Sequence, residues 1–338
     1  MLRKRWAEMI SCTEFIAAYS ELFSYIDEKY GRKEVDHFWK YLFEPDGKGI
    51  PLINHVQKEG IRGCFTYWAL SLNEEAADFT MYLNEKRGFF MIDMHRCPSK
   101  GRLLELKEEI GITPYYDYCL HCDSYRSAVE KIGLKYIYNF KGMDKASCSI
   151  LIYDPSVFDG RVIIDNDTEV MDRKAAENEY FHKDFHSSMN MGIHYLGTQY
   201  EMEAVEEYLV RFTRNVYRSV IDDVKRKGFS ALEDKIKDTY IKEKQPHVLE
   251  MAISPDHQTM LVKVKYCPGV QHLKNTGREV SRWYRYTTEA VMKTLANDAG
   301  YRFVMDSYDE DTGATEYRFI KDKTDVKKEV KEDDHRQY

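Results

Sequence analysis

The chain repeats itself, and that constrains its fold more than any single motif does. Phe15 and Phe185, Tyr25 and Tyr195, Tyr30 and Tyr200, Val35 and Val205, and Cys97-Pro98 and Cys267-Pro268 each stand 170 positions apart. A unit written twice is expected to fold twice. The shared register reaches local pattern: "DFTMYLNEKRGFFMIDMHRCP" faces "VLEMAISPDHQTMLVKVKYCP", each with two apolar runs around a polar turn and a closing Cys-Pro. Val262, Val264 and Tyr266 alternate with Lys263 and Lys265, the period of a half-buried strand. Each stretch predicts a hairpin.

Upstream of the hairpins the period becomes helical. Val205, Tyr208, Leu209, Phe212, Val216, Val220 and Val224 recur at spacings of three and four, which predicts one amphipathic helix stopping at Gly228. Phe15, Tyr19, Leu22 and Ile26 form a shorter stripe in the first half, where Gly60 takes the place of Gly228. Downstream, another helix is expected to end at Gly133 or Gly300, followed by two strands, "LKYIYNF" and "CSILIYD" against "YRFVMDS" and "TEYRFIKD".

The expected fold is therefore α+β: two pseudo-repeated units, each with helices packed on a four-stranded antiparallel sheet. A length of 338 residues suits two domains. The first repeat is residues 1–154 and the second is 184–322. Residues 155–183 read as a connector with one short apolar strand, Val162 to Ile164. The stretch 323–338 is dense in both charges and too poor in apolar groups to offset its ordering entropy, so a disordered tail is expected.

A net charge of -7 argues against a broad grip on nucleic acid phosphates. No window reaches the roughly 18 apolar residues of a membrane helix, and "MLRKRWAEMISCTEF" lacks the apolar core and cleavage site of a secretory signal. Seven cysteines, an odd number, suit reduced thiols in a cytoplasm better than a disulfide framework. The expected partner is a small-molecule ligand or substrate, with neither nucleic acid nor membrane, and a homo-oligomer is left open. The 26 tyrosines can line a pocket for a flat ligand, although ordinary packing accounts for most such rings.

The cysteines break the repeat. Cys97 has its counterpart in Cys267, but Cys119, Cys122 and Cys148 face a stretch near Tyr286 to Glu289 and then Thr315 or Glu316. Those are poor isosteres for a buried thiol, which favours chemistry in the first copy over packing. Three functional readings stand beside a plain core role. Cys97, Cys119, Cys122 and Cys148 supply four thiolates for a zinc or iron–sulfur site, a tetrahedral structural zinc being the natural fit. Cys119 and Cys122 have the dithiol spacing of a redox pair. Alternatively, Cys119 is a nucleophile at a helix start, with Asp117, His121 and Asp123 within four residues, where the helix dipole and the histidine favour thiolate. His95 ends the first hairpin on the face opposite Ile92 and Met94, and His186 and His194 read as a polar helix face. The chain carries no GxGxxG, phosphate loop, HExxH or GxSxG motif.

The run from Phe89 to Asp154 resembles the L-2-amino-thiazoline-4-carboxylic acid hydrolase family. An apolar strand leads to Cys97, a helix opens at Cys119 with Asp123 nearby, and "KGMDKASCSILIYD" sets a turn and Cys148 before the last strand. That family is similar to vinyl-reductase-type ligand-binding domains, whose late cysteines hold a metal. Cys119 and Asp123 stand four apart where the family sets three, with Cys122 at the intermediate place. The resemblance implies hydrolysis of a non-peptide C–N bond in a small cyclic, amidine-like substrate, with Cys119, Asp123 and Cys148 lining the site; His121, two residues from Cys119, joins them as a catalytic candidate on its own chemistry. The rival expectation is a non-catalytic binding or sensor protein whose cysteines fix a metal.

Overall fold

A computed structural model describes residues 10–43, 51–74, 77–174 and 184–321. The chain divides into two compact units, Met1–Phe185 and His186–Tyr338. Both are α+β with antiparallel sheets. The charged stretch 323–338 lies outside the described residues.

In the first unit, helices α1 (Ile10–Tyr30) and α2 (Arg32–Phe43) are separated by Gly31, whose φ of 93° is one that residues with a Cβ rarely adopt. Helices α3 (Pro51–Glu59) and α4 (Arg62–Glu74) follow. The hairpin β1 (Asp78–Asn84) and β2 (Phe89–Arg96) runs into α5 (Pro98–Ile110), where Pro98 takes the first helical position that suits its missing N–H. A 3₁₀ turn (Tyr118–Ser124) and α6 (Tyr125–Lys131) lead to a second hairpin, β3 (Lys135–Gly142) and β4 (Ser147–Tyr153). The strand order is β3-β4-β2-β1-β5, and helices cover one face. Phe79, Met81, Phe90, Ile92, Tyr136, Ile150 and Ile152 pack there with Trp68, Leu72 and Val129.

The fifth strand corrects the expected connector and the four-stranded count. β5 (Glu169–Lys174) pairs with β1 from Asp78↔Lys174 to Leu83↔Glu169, whereas Val162 to Ile164, the expected strand, is loop. β5 sits at the sheet edge, and its charged residues Glu169, Asp172, Arg173 and Lys174 suit an edge better than an interior.

The second unit opens on α7 (Asp184–Val216), kinked at Glu201 with φ 68° and ψ −175°. α8 (Arg218–Lys227) and α9 (Phe229–Lys242) follow. The single helix expected from Val205 to Val224 is broken at Tyr217. One turn before the break, the Thr213 hydroxyl donates to the Leu209 carbonyl at 2.7 Å, a contact that bends helices. β6 (Leu249–Ile253) and β7 (Thr259–Val264), then α10 (Pro268–Asn275), α11 (Tyr286–Asp298), β8 (Tyr301–Tyr308) and β9 (Thr315–Lys321), complete a sheet of order β6-β7-β9-β8. Its core joins Val224, Leu232, Ile236, Met260, Val262, Leu295, Tyr317 and Phe319.

Candidate functional site

The thiols of the first unit are assembled by a helix start, a 3₁₀ turn and a strand. Cys97 caps α5: its Sγ accepts the Lys100 N–H at 3.4 Å, and its own N–H donates to Ala146 O at 2.7 Å in the β3–β4 turn. Cys148 lies on β4, opposite Met94 and Phe140. Cys119 and Cys122 lie in the 3₁₀ turn, where three residues per turn bring side chains i and i+3 over one another. That turn is held from both sides. The Tyr115 N–H donates to Ser20 Oγ at 2.8 Å, Tyr136 Oη donates to Cys122 O at 2.9 Å, and Tyr138 Oη donates to Cys119 O at 3.2 Å.

Burial raises Tyr138 far above its ordinary pKa, and Cys122, Cys148, Cys119 and Cys97 add to the rise in that order. Burial first, then Cys122, pushes the Cys119 thiol from 9.0 up to about 11, against the downward pull of the Lys100 ammonium. Cys148 rises chiefly through burial, then through Cys122 and Cys97, while its hydrogen bond with Tyr138 pulls it down.

This overturns the expectation of a Cys119 thiolate favoured by a helix start. α6 begins only at Tyr125, so Cys119 sits one residue into a short 3₁₀ turn, where loss of water decides the sign. His121 does not serve Cys119 either. Its Nδ1 hydrogen-bonds the Tyr118 carbonyl, and its Nε2 lies 3.6 Å from Cys122 Sγ. Since a carbonyl only accepts, Nδ1 carries the proton and Nε2 presents a lone pair to the Cys122 thiol. Phe23, Trp39 and Tyr118 pack their rings around this imidazole, with centroids 4.8–6.5 Å away.

Asp123 is turned elsewhere. It accepts from Arg126 Nη2 at 2.8 Å and Nε at 3.3 Å with its side chain 43% exposed, which makes it an ion-pair partner on the surface. The four-cysteine metal set does not form. Among the described residues, no three His, Cys, Asp or Glu side chains are grouped to hold a metal ion. Among the described residues, Cys64, Cys97, Cys119, Cys122, Cys148 and Cys267 are not joined to one another in disulfides. Nor is His186 on a polar face: it hydrogen-bonds Glu243 Oε1 at 3.0 Å and Tyr284 Oη at 3.2 Å inside the second unit.

No family model, curated protein or solved structure matches the chain.

The site's chemistry therefore rests on its own groups: a thiol facing an imidazole acceptor, three further thiols, buried tyrosines and one buried cation. That cation, Lys100, is 7% exposed and has no hydrogen-bonded or ion-paired partner for its ammonium among the described residues. Its position was open to sequence reasoning. Cys97-Pro98 marks a helix start, and a residue two places after that proline leans back over the first turn. Tyr138 was legible too, as the strand neighbour two places from Tyr136 on the inward face. Among the described residues, no helix is long and apolar enough to cross a membrane.

Proposed function

We propose that the first unit is a thiol-dependent hydrolase of a non-peptide C–N bond in a small cyclic, amidine-like molecule, with Cys122 as nucleophile and His121 as its base. The observation that carries this reading is the Cys122 Sγ to His121 Nε2 approach of 3.6 Å, on an imidazole whose other nitrogen is tied to a backbone carbonyl. The substrate class comes from the resemblance of the Phe89 to Asp154 run. His121 Nε2 takes the thiol proton, and the sulfur attacks the amidine carbon. The departing ring nitrogen then receives that proton as the C–N bond breaks, leaving a thioimidate. Water attacks the thioimidate carbon, His121 accepts the water's proton, and sulfur leaves to recover it. Lys100 supplies a positive charge beside the thiols while the sulfur is negative.

The second unit is proposed as a diverged copy of the first that keeps the frame without the thiols. Its two hairpins have the order of β1–β4. Asn190 Oδ1 accepts the Ser281 N–H at 2.8 Å as Ser20 Oγ accepts that of Tyr115 at 2.8 Å. Gly31 and Glu201, 170 positions apart, both take positive φ. A binding-only reading is favoured by one observation, the burial that keeps Cys119 protonated.

The deciding experiment is turnover of a cyclic amidine by purified full-length protein. His121→Gln is expected to lower the rate by roughly 10²–10⁴-fold, the usual worth of a general base. Cys122→Ser should abolish turnover with binding by calorimetry retained, and Asp123→Asn should leave the rate near wild type. Loss of activity in Cys119→Ser together with an active Cys122→Ser would reassign the nucleophile. Binding without turnover in the wild type would leave the carrier reading.

A further inference from the structure

Cys119 has no task in the proposed hydrolysis, yet it shares the 3₁₀ turn Tyr118–Ser124 with Cys122. In such a turn residues i and i+3 lie over one another, three rises of about 2.0 Å apart. The two Cα atoms are therefore separated by roughly 6 Å with their Cβ bonds nearly parallel, inside the range of about 4.4–6.8 Å over which cysteines are bridged. Both side chains are half-buried, within reach of a small oxidant, whereas Cys64 is 0% exposed. The stretch of the second half that faces this turn, near Tyr286 to Glu289, carries no cysteine.

The pair is chemically unequal. Cys122 Sγ lies 3.6 Å from His121 Nε2, whose lone pair is kept toward it by the bond from Nδ1 to the Tyr118 carbonyl. Cys119 lies in the field of the Lys100 ammonium, which favours a transient thiolate there. A thiol with a base, beside a second thiol, is the arrangement of an oxidant-sensitive cysteine and its resolving partner.

We infer that Cys119 and Cys122 are a redox modification site, which closes to a disulfide when the protein meets a hydroperoxide. His121 Nε2 takes the Cys122 proton, and the sulfur attacks one peroxide oxygen. The O–O bond breaks, the departing oxygen leaves as an alcohol or water with the proton from His121, and Cys122 becomes a sulfenic acid. The Cys119 sulfur then attacks Cys122 Sγ. The S–O bond breaks, the S–S bond forms, and the hydroxyl leaves as water with the proton of Cys119. Two thiols lose two electrons, and the peroxide gains them. Closure draws the Cβ atoms from about 6 Å to the roughly 4 Å of a disulfide, which pulls on the Cys119 and Cys122 carbonyls that Tyr138 and Tyr136 hold. A bond closed against that resistance is readily reduced, so the change is reversible. The disulfide stands apart from the hydrolase reading; the loss of turnover that follows from consuming the nucleophile rests on it.

Peptide mapping of the full chain tests it, after hydrogen peroxide treatment and alkylation of the remaining thiols. Trypsin leaves both cysteines in Glu108–Arg126 and puts Cys148 in Ala146–Arg161. Glu108–Arg126 is expected to be two hydrogens lighter and to lose both alkyl groups, and dithiothreitol should restore them. Cys119→Ser should hold Cys122 as a sulfenic acid that dimedone traps, and Cys122→Ser should form neither product. A wild-type peptide that stays reduced overturns the inference. So does a cross-link from Glu108–Arg126 to Ala146–Arg161, or dimedone capture at Cys119 in Cys122→Ser as fast as at Cys122 in Cys119→Ser. A disulfide in protein that opens no amidine supports this inference while overturning the hydrolase reading, and turnover without a disulfide does the reverse.

Discussion

His121 can act as a base through only one nitrogen at a time, and the backbone decides which. The Tyr118 carbonyl holds the proton on Nδ1, so the lone pair on Nε2 meets a thiol without any rearrangement. Cys119, three residues from Cys122, has lost water without gaining a base, and its thiol is raised from 9.0 to about 11, by burial first. The sign of its effect on stability follows. A raised acid group binds its proton more tightly in the folded state, so its contribution is fully present below pH 9.0 and is lost as pH climbs through about 11. The thiolate absorbance that disappears in Cys119→Ser is accordingly expected to titrate with a midpoint near 11 in the folded protein. A midpoint at or below 9.0 would mean that Cys119 is solvated or paired with a base.

At the scale of elements, the kink at Glu201 stores strain that Gly31 avoids. With φ 68° and ψ −175°, Glu201 occupies a region that is nearly glycine's alone, at a cost of about 1–3 kcal/mol. Glu201→Gly is therefore expected to raise stability by about 1 kcal/mol, since the wider unfolded freedom of glycine offsets part of the relief. A urea midpoint that stays put or falls would show that the glutamate side chain contributes more than its backbone loses. The hairpins were legible because alternation such as Val262, Lys263, Val264 admits few other structures. The Glu201 kink was hidden, because glutamate is a good helix former and nothing local announces the break. β5 was hidden for the opposite reason. Its four charges read as loop, while the apolar Val162 to Ile164 reads as strand and is not one. The cysteines stood out because the matching stretches of the second half lack them, but the contact His121 makes was beyond sequence spacing. It depends on the pitch of the 3₁₀ turn and on a backbone carbonyl.

At the scale of the whole molecule, each unit has a hydrophobic core around its own sheet, the first around Phe79, Phe90 and Ile152 and the second around Val262, Tyr317 and Phe319. A lesion in one core should therefore be felt first in its own sheet. Phe319 is fully buried, with the rings of Phe303 and Tyr317 each 5.6 Å away, so Phe319→Ala removes a large ring and leaves a cavity. Such truncations cost about 3–5 kcal/mol. Peptide-resolved hydrogen exchange is expected to quicken across β6–β9 while β1–β4 keep their wild-type protection. On the proposed hydrolase reading, opening of a cyclic amidine should persist at temperatures where the second unit already exchanges freely, because Cys122 and His121 belong to the first. Equal loss of protection in both sheets would mean that the units unfold as one cooperative body. The second unit would then be required for the thiol site to exist at all, a stronger role than the proposed one of a copy that keeps the frame.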